Sequence, residues 1–360
     1  MDPDLGETQR LLQTTLRGFL EEHVPFDRVR EHERKGRADE DLWQALADQG
    51  FLGAALPEAV GGGDAGLPEA GICVHEVARR AAIVPMVETT ASALCLARSA
   101  AADESALLHE IVAGRCIPVP ALFEASDDAA GATRVDADGR LHGSKGFVDY
   151  AQDASHHLVS ARDPQGESLY LVERADPALQ TRALAPIGRT PQSTVHYDGA
   201  VARRVGDAAA CAALARHARA LTCAQILGCM EVALEMTVAY TNVRVQFGQP
   251  LSAFQAVQHH AANMAMLVES SRFMVYEMLD ALERSDADDE QVALVKASVS
   301  RAVPEVTMLA HQLHGGQGLI EENDLYFFSL RGKDRSVAWG SAEECLDEVA
   351  RHVESPPRWL

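Results

Sequence analysis

The 360-residue sequence predicts an α+β multi-domain protein, with an N-terminal helical domain, a middle β-barrel domain and a C-terminal four-helix bundle. Two changes of pattern support this architecture. Helical periodicity gives way near Cys116 to short strand-like segments, and it resumes near Asp207. We therefore expect domains at residues 1–115, 116–206 and 207–360.

The N-terminal domain is predicted to be helical because its apolar residues recur at helical spacing. Leu12, Leu16, Phe19 and Leu20 form one stripe, and a second stripe begins at Leu42. After a glycine-rich loop, helical patterns return and continue almost to the end of this part of the chain.

Short apolar segments separated by polar and proline-containing turns characterise the middle of the chain. They read IPVPALFEA, RVDADGRLHGSKGFVDYA, HHLVSARDPQGESLYLVE and STVHYDGAV. The DPQG turn followed by SLYLVE is typical of a hairpin. Because isolated hairpins are unstable in water, we expect these roughly 90 residues to form a small barrel or sandwich.

Four long helical patterns predict the C-terminal bundle. The first begins near Asp207, and the second follows the polar stretch RVQFGQP. The third, DDEQVALVKASVSRAVPEVTMLAHQLHGG, ends at a glycine pair, which is a common helix C-terminus. The fourth is SAEECLDEVARHVE. Antiparallel helices of these lengths pack as a bundle.

Charge and composition argue against several classes of function. The formal net charge of −21 opposes binding to nucleic acid, which is itself negatively charged. The seven cysteines are irregularly spaced without a CxxC pair, as expected of reduced thiols in a cytoplasmic protein. The N-terminal residues lack the apolar segment of a secretory leader, and no stretch is expected to span a membrane. The His pairs at 156–157 and 259–260 lack metal-ligand spacing, so we predict no metal site.

Two motifs in the C-terminal part resemble those of the acyl-CoA dehydrogenase family. The first is a polar corner between two helical patterns, comprising Arg244, Gln246, Phe247, Gly248, Pro250, Leu251, Phe254, Gln255 and Gln258. The second lies in QLHGGQG and comprises Gln312, His314, Gly315, Gly316 and Gly318. Both occur in the family's order and on the expected elements, and the resemblance covers essentially the whole chain.

The resemblance implies that both motifs bind FAD across a subunit interface. Arg244, Gln246 and Phe247 belong to the corner, and a guanidinium can hold two oxygens of the FAD pyrophosphate at once. At the second motif Gln312 offers an amide, while Gly315 and Gly316 let backbone N–H groups approach the ADP half. Near the C-terminus, Ser341 and Glu343 are further candidate contacts. The simpler alternatives to FAD binding are that Arg244 is a surface cation and that the glycines only cap the helix.

The catalytic base implied by the resemblance is missing. In the family a Glu carboxylate removes the substrate α-proton, and it commonly precedes a Gly-Thr or Gly-Ser pair; Trp339 occupies that position here. The family's second location for the base falls on Ala218. Since neither side chain accepts a proton, we assign no catalytic residue.

The middle domain also departs from the family. The family usually has a Thr-Glu-Pro strand that lies on the flavin, and this chain has LFEASDDAAG at 122–131 in its place. A Trp-Ile/Val-Thr/Ser segment contacts the flavin in the family, and here the corresponding residues are Phe147, Val148 and Asp149. Positions that serve a subunit's own flavin are thus altered, whereas positions that reach a partner's FAD are kept.

This pattern resembles the base-lacking subunit of heterotetrameric bacterial steroid-CoA dehydrogenases. It implies as partners a second family member with the catalytic base, an acyl-CoA substrate and an electron-transfer flavoprotein or similar acceptor. One alternative is a self-sufficient flavoenzyme of the same fold that uses His217, Asp149 or Glu343 as its base. The other is a non-catalytic scaffold subunit without flavin.

Overall fold

The computed structural model describes residues 5–98, 102–125 and 132–353. Its helices are α1 Glu7–His23, α2 Phe26–Lys35, α3 Glu40–Asp48, α4 Leu67–Arg79, α5 Met86–Ala97, α6 Ala102–Val112, α7 Ala208–Val243, α8 Gln255–Glu283, α9 Asp289–His314, α10 Leu325–Val337 and α11 Ala342–Val353. Its strands are β1 Pro118–Ala121, β2 Arg134–Val135, β3 Arg140–Asp149, β4 His156–Asp163, β5 Gly166–Glu173, β6 Leu179–Ala183, β7 Gln192–Val201, β8 Arg203–Asp207, β9 Val245–Gln246 and β10 Gln249–Pro250.

Side-chain caps begin several helices, among them α3 and α9, where the sequence changes from loop to helix. The Asp39 carboxylate accepts a hydrogen bond from the Leu42 N–H at the start of α3. In the same way Asp288 accepts from the Gln291 N–H at the start of α9. Each carboxylate satisfies an N–H group that has no partner within its helix.

The middle of the chain forms one eight-stranded sheet. Seven strands follow the order β6-β7-β3-β2-β4-β5-β8, and β1 pairs in parallel with β4. The β4–β5 hairpin turns at Asp163 and Gly166, which is the hairpin predicted from DPQG. Leu158 and Val172 lie on opposite faces of this hairpin and are both fully buried, so both faces are covered.

The predicted order of helical, sheet and helical parts is confirmed, but the sheet is open and does not close into a barrel. Its outer strands are β6 and β8, each of five residues and largely exposed. Short edge strands with charged side chains such as Arg182 and Arg203 resist pairing with a further strand.

The C-terminal part contains a fifth helix, α10, in addition to the four predicted. Phe327 and Phe328 on this helix are fully buried, and their rings lie 5.6 and 6.0 Å from that of Phe26. The pattern LYFFSLRGKDRSV is short and follows a polar turn, so its periodicity is weak in the sequence alone.

The described residues divide into two compact units. One unit takes its residues from Met1–Phe26, Gly71–Ala82 and Arg219–Leu360, and the other from Asp27–Ala70 and Ile83–Ala218. The first unit is helical and the second contains the sheet. These compact units combine segments that are separate in sequence, so they differ from the three consecutive domains expected from the sequence. The domain limits at 115 and 206 stay a prediction.

Helix α7 is the longest element and contains a long apolar stretch. By length and composition it is the one helix in the described ranges that could cross a membrane, which the sequence reading did not foresee. However, 67% of its most apolar 18-residue window is buried inside the fold, as in the core helix of a globular protein.

Candidate functional site: an exposed corner and a glycine turn

The corner predicted at Arg244 is a tight hairpin that follows α7. Strands β9 and β10 pair antiparallel, and the Leu251 N–H donates to the Arg244 carbonyl at 2.9 Å. Phe247 and Gly248 occupy the turn with φ values of 53° and 84°. Positive φ at both positions is the requirement of a type I′ turn, and it is unfavourable for a bulky residue such as Phe. The fold therefore holds Phe247 in a strained conformation.

The side chains of this corner are displayed outward. Phe247 is 89% exposed and meets the ring of Phe254 edge-on at 6.1 Å, while Val243 and Val245 are also exposed. The Arg244 guanidinium is exposed and makes no hydrogen bond or ion pair with any described residue of the chain. The Gln246 amide donates to the carbonyl of Val245 at 2.8 Å. The corner thus presents an unused cation next to an unused aromatic ring.

The second motif is a turn at the end of α9. Gly315 ends the helix with φ 58° and ψ −139°, a conformation that only glycine adopts readily. A Cβ atom on Gly315 or Gly316 would meet no atom within 4 Å, so a ligand can approach this backbone closely. The Gln312 side chain is exposed and has no hydrogen-bond partner in the described part of the chain.

Aromatic stacking brings the two motifs together. The Tyr240 ring, one helical turn before Arg244, stacks on the His314 imidazole at 4.5 Å with an interplanar angle of 18°. His314 is buried, and its Nδ1 lies 2.8 Å from the Ala310 carbonyl oxygen, which fixes the ring. Residues far apart in sequence, Arg244 and Gln312, are thereby placed on one exposed end of the helical unit.

Ser341 and Glu343 lie elsewhere in the same unit. The Ser341 hydroxyl accepts from the Glu344 N–H at 3.2 Å, and Glu344 Oε2 accepts from the Ser341 N–H at 2.8 Å, which forms a capping box for α11. The exposed Glu343 carboxylate is 3.9 Å from Arg301 on α9. Arg301 is 11 positions before Gln312, roughly 16 Å along the helix. The eight predicted cofactor residues therefore fall into two groups, six in the corner and the glycine turn, and Ser341 and Glu343 at the start of α11.

A buried lysine and a partly buried arginine hold the turn where the family's base is expected. Lys296 is fully buried, and its Nζ donates to the Ser300 hydroxyl and to the carbonyls of Ser336 and Gly340 at 2.8–2.9 Å. Arg219 donates to the Trp339 carbonyl at 2.8 Å. Burial lowers the pKa of Lys296 to about 8, which the nearby thiols oppose only in part. The turn is thus rigidly anchored, but it presents Trp339 rather than a carboxylate.

The alternative bases have unsuitable environments. His217 is buried, and burial together with Arg98 and Arg216 lowers its pKa to about 4, so its imidazole is a weak base. Asp149 is buried, and its Oδ1 accepts a hydrogen bond from the Gln192 amide at 2.8 Å. Glu343 is 77% exposed at its side chain. Residues 126–131 of the LFEASDDAAG segment lie outside the described residues.

The sequence interpretation missed the buried lysines and the stacked pair. Lys145 is fully buried, and its Nζ donates to Glu124 at 2.6 Å, to the Leu122 carbonyl and to the Ser160 hydroxyl. A signal was present, because the chain has four lysines among 32 basic residues, and Lys296 lies in the apolar run LVKASV. The stacking of Tyr240 on His314 had no sequence signal, since it joins two separate helices.

The helical end built from the two motifs fits FAD. A free guanidinium matches a pyrophosphate, an exposed aromatic ring matches a flat heterocycle, and an open glycine backbone offers N–H groups to phosphate or ribose oxygens. In the described ranges no group of three or more His, Cys, Asp or Glu side chains is placed to hold a metal ion. All seven cysteines are free and buried.

Comparison with known proteins agrees with this fit. Residues 6–114 match the family described as "Acyl-CoA dehydrogenase, N-terminal domain", and residues 206–353 match "Acyl-CoA dehydrogenase, C-terminal domain". The chain belongs to the acyl-CoA dehydrogenase family. It is similar to acyl-CoA dehydrogenase FadE27 of Mycobacterium tuberculosis, with 27% identity over 91% of this chain and 93% of the relative. Probable acyl-CoA dehydrogenase fadE25 of Mycobacterium bovis is 30% identical over 87% of each chain.

Two solved structures of heteromeric complexes in this family have the same fold. A chain of the Tcur3481-Tcur3483 steroid ACAD variant superposes with a TM-score of 0.91 at 32% identity, covering 98% of this chain and 99% of that one. A chain of the ChsE4-ChsE5 complex from Mycobacterium tuberculosis gives 0.93 at 26% identity, covering 99% and 100%. As an acyl-CoA dehydrogenase family member, the chain is a flavoprotein oxidoreductase that acts on CH–CH bonds, with FAD as cofactor.

The glycine turn makes a matched prediction on stability. Because Gly315 adopts a backbone conformation that alanine resists, Gly315→Ala is expected to cost about 1–3 kcal/mol of unfolding free energy. Gly316 has no left-handed φ and has open space at its Cβ position, so Gly316→Ala should change stability by less than about 0.5 kcal/mol. Thermal unfolding of the two variants measures the difference. Equal melting temperatures would contradict the assigned strain.

Proposed function

We propose that this chain is the base-lacking subunit of a heteromeric acyl-CoA dehydrogenase, and that its Arg244 corner and glycine turn complete the FAD site of a partner subunit. The observation on which the proposal chiefly depends is the exposed helical end where Tyr240 on His314 aligns the two motifs. Arg244, Phe247 and Gln312 at that end are exposed, and the Arg244 and Gln312 side chains make no hydrogen bond with the described residues, which is the expected state of a half-site before its partner is added.

Strain at the corner supports a role in binding. A bulky residue in the left-handed region costs on the order of 1–3 kcal/mol, and such outliers concentrate at ligand-binding sites. Phe247 bears this strain while 89% of it is exposed, so the isolated chain gains little from its position beyond the edge-on contact with Phe254. Docking of the ring against a flavin or adenine of the partner would remove its apolar surface from water.

The groups of the half-site have separate tasks. Arg244 would hold the FAD pyrophosphate by paired charge-assisted hydrogen bonds, and Gln312 would orient a polar edge of the cofactor. The N–H groups of Gly315 and Gly316 would approach the ADP half without obstruction from a side chain. When bound, FAD accepts a hydride from the substrate β-carbon, and the α-proton would be removed by a carboxylate of the partner.

The proposed lack of a base in this chain is supported by four residues. Trp339 and Ala218 occupy the two positions that the family uses for its Glu. The low pKa of buried His217 and the hydrogen bond from Gln192 to Asp149 disfavour a replacement base within this chain. These observations favour a subunit that depends on its partner over a self-sufficient flavoenzyme.

We further propose an acyl-CoA with a bulky group, such as a steroid side chain, as the substrate. The support is the 32% sequence identity to a chain of the Tcur3481-Tcur3483 steroid ACAD variant. An electron-transfer flavoprotein or similar protein would then reoxidise the flavin. The free, buried thiols support a cytoplasmic location.

Co-expression tests the proposal. The chain should be expressed with a candidate partner from the same family that has an intact base, and purified through a tag on this chain alone. We expect a yellow complex with close to one FAD for each pair of unlike chains. The chain expressed alone should be colourless or poorly soluble, because its apolar corner is uncovered.

A chain that is yellow, stoichiometric in FAD and active when purified alone would overturn the proposal. A further control is the partner expressed alone, which should bind FAD weakly and turn over slowly. If the partner alone is fully active, this chain does not complete its site.

A further inference from the structure

A cluster of six charged side chains joins three helices of the helical unit; four of them are buried or nearly so, whereas Arg17 and Glu235 are partly exposed. Arg17 comes from α1, whereas His75, Glu76 and Arg79 come from α4. Glu231 and Glu235 come from α7. His75 and Glu76 are each 1% exposed, which is rare for charged groups without good partners.

The carboxylates of this cluster accept hydrogen bonds from guanidinium groups. Arg17 donates to both oxygens of Glu76 at 2.9 and 2.7 Å. Arg79 donates to Glu231 at 2.7 Å and to both oxygens of Glu235 at 3.0 and 2.8 Å. The cluster is therefore a closed set of ion pairs.

Both nitrogens of His75 lie near carboxylate oxygens, with hydrogen-bond geometry at Nε2 toward Glu231 and an ionic contact without hydrogen-bond geometry at Nδ1 toward Glu76. Nε2 lies 3.0 Å from Glu231 Oε2, and Nδ1 lies 3.2 Å from Glu76 Oε1. An ionised carboxylate can only accept a proton, while a neutral imidazole has one donor and one acceptor nitrogen. A neutral His75 would therefore turn a lone pair toward one buried carboxylate, and only the doubly protonated ring is attracted to both.

The charge count gives the same answer. With His75 protonated the cluster holds three cations, Arg17, His75 and Arg79, and three anions, Glu76, Glu231 and Glu235. Helix α8 adds Tyr276, whose ring lies edge-on to His75 at 6.3 Å, and Arg272, which is paired with Glu269. A neutral His75 would leave the cluster with one more anion than cations; because Glu235 is 57% exposed and screened by water, this count only supplements the contacts of His75 with Glu231 and Glu76.

We propose that His75 is held as an imidazolium ion, and that its charge fastens α4 to α7 as an electrostatic clamp that loosens in alkali. Through Arg17 and Glu76 the clamp also holds α1. The clamp contacts α7 at Glu231, and the Arg244 corner follows the C-terminal end of the same helix. The clamp is a property of the folded chain and does not depend on the proposed function.

The pH window of the clamp follows from its ionisations. Burial opposes the charge on His75, but Glu231 and Glu76 outweigh it and raise the pKa of His75 from 6.5 to about 9. A raised pKa contributes stability that is complete below 6.5 and is lost as the pH rises toward 9. For Glu76 and Glu231, burial is outweighed mainly by His75 and the guanidinium groups, and each pKa falls from 4.5 to about 2. Their contribution is complete above pH 4.5, so the clamp is strongest between 4.5 and 6.5.

Nuclear magnetic resonance of the full chain with 15N-labelled histidine tests the protonation state directly. A His75→Gln variant assigns the His75 signal by its disappearance. We expect this signal to show two protonated nitrogens at neutral pH. Glu231→Gln should lower the His75 pKa by about 1–3 units, because it removes an opposite charge in contact with the ring.

Glu235→Gln is the matched control. Glu235 lies one turn from Glu231, pairs with the same Arg79 and has no contact with His75. It should leave the His75 titration nearly unchanged. A His75 signal that is neutral at pH 7, or that responds equally to both substitutions, would overturn the proposal.

Thermal unfolding gives a second readout. The melting temperature of the unmodified chain should fall between pH 6.5 and pH 9 more steeply than that of His75→Gln. Parallel curves would contradict the clamp. If His75→Gln does not fold, the Glu231→Gln and Glu235→Gln pair still decides the question, with the signals assigned from the unmodified chain.

Discussion

Replacement of Arg244 by alanine is expected to strip FAD from the heteromeric complex without unfolding this chain. The guanidinium has no partner among the described residues, so its loss removes nothing that stabilises the chain alone. Toward the cofactor it would remove charge-assisted hydrogen bonds of about 1.5–3 kcal/mol, which correspond to roughly 10- to 150-fold weaker FAD binding. Flavin absorbance of the purified complex at increasing dilution measures this loss.

Two matched variants sharpen the experiment. Arg284→Ala removes another exposed guanidinium, at the end of α8, where it is paired with Asp280 and Asp286; it should leave the FAD content unchanged. Arg244→Lys keeps the charge but loses the planar pair of donors, and it should retain only part of the affinity. A complex that keeps full FAD occupancy with Arg244→Ala would contradict the proposal that this chain completes the FAD site of its partner.

Glu76→Gln is expected to destabilise the helical unit more than any other single change discussed for this protein. Glu76 is fully buried and joins Arg17 and His75, and its substitution leaves their charges uncompensated. Breaking a buried ion pair costs about 3–5 kcal/mol, and the lower end applies because Arg17 is 37% exposed at its side chain. The melting temperature should fall by roughly 6 °C or more.

Glu235→Gln provides the comparison for this effect. It removes a carboxylate from the same cluster, but the Glu235 side chain is 57% exposed, so water replaces its contact with Arg79. We expect a loss of less than about 1 kcal/mol. Similar melting temperatures for the two variants would show that burial does not determine the strength of this cluster.

Local chemistry made the corner and the glycine turn visible before the structure. Gly315 needs a backbone conformation that side chains resist, and the sequence around Arg244 must turn sharply between two helices. Such requirements depend on a few neighbouring residues, so they appear as short motifs. The absence of a carboxylate at 339 is likewise a matter of residue identity alone.

Other parts of the site depended on contacts between distant segments. Ser341 and Glu343 were predicted as cofactor residues together with the others; in this chain Ser341 caps α11 and Glu343 lies beside Arg301. The eight-stranded sheet stays open because of its short charged edges, whereas strand patterns alone favoured closure. Helix α10 was missed because it is short, its apolar residues are concentrated in its first half, and its packing partner Phe26 is far away in sequence.

The sequence by itself determined the order of helical and sheet parts, the family, and the chemical identity of the two motifs, because periodicity and turn chemistry are local. Only the tertiary structure decided that Tyr240 on His314 aligns those motifs, and that Lys145 and Lys296 are buried. It alone placed His75 between Glu76 and Glu231, which are 155 residues apart in the chain. Charges attract through space, and the pairing of buried ions is therefore fixed by the packing of helices rather than by their spacing along the chain.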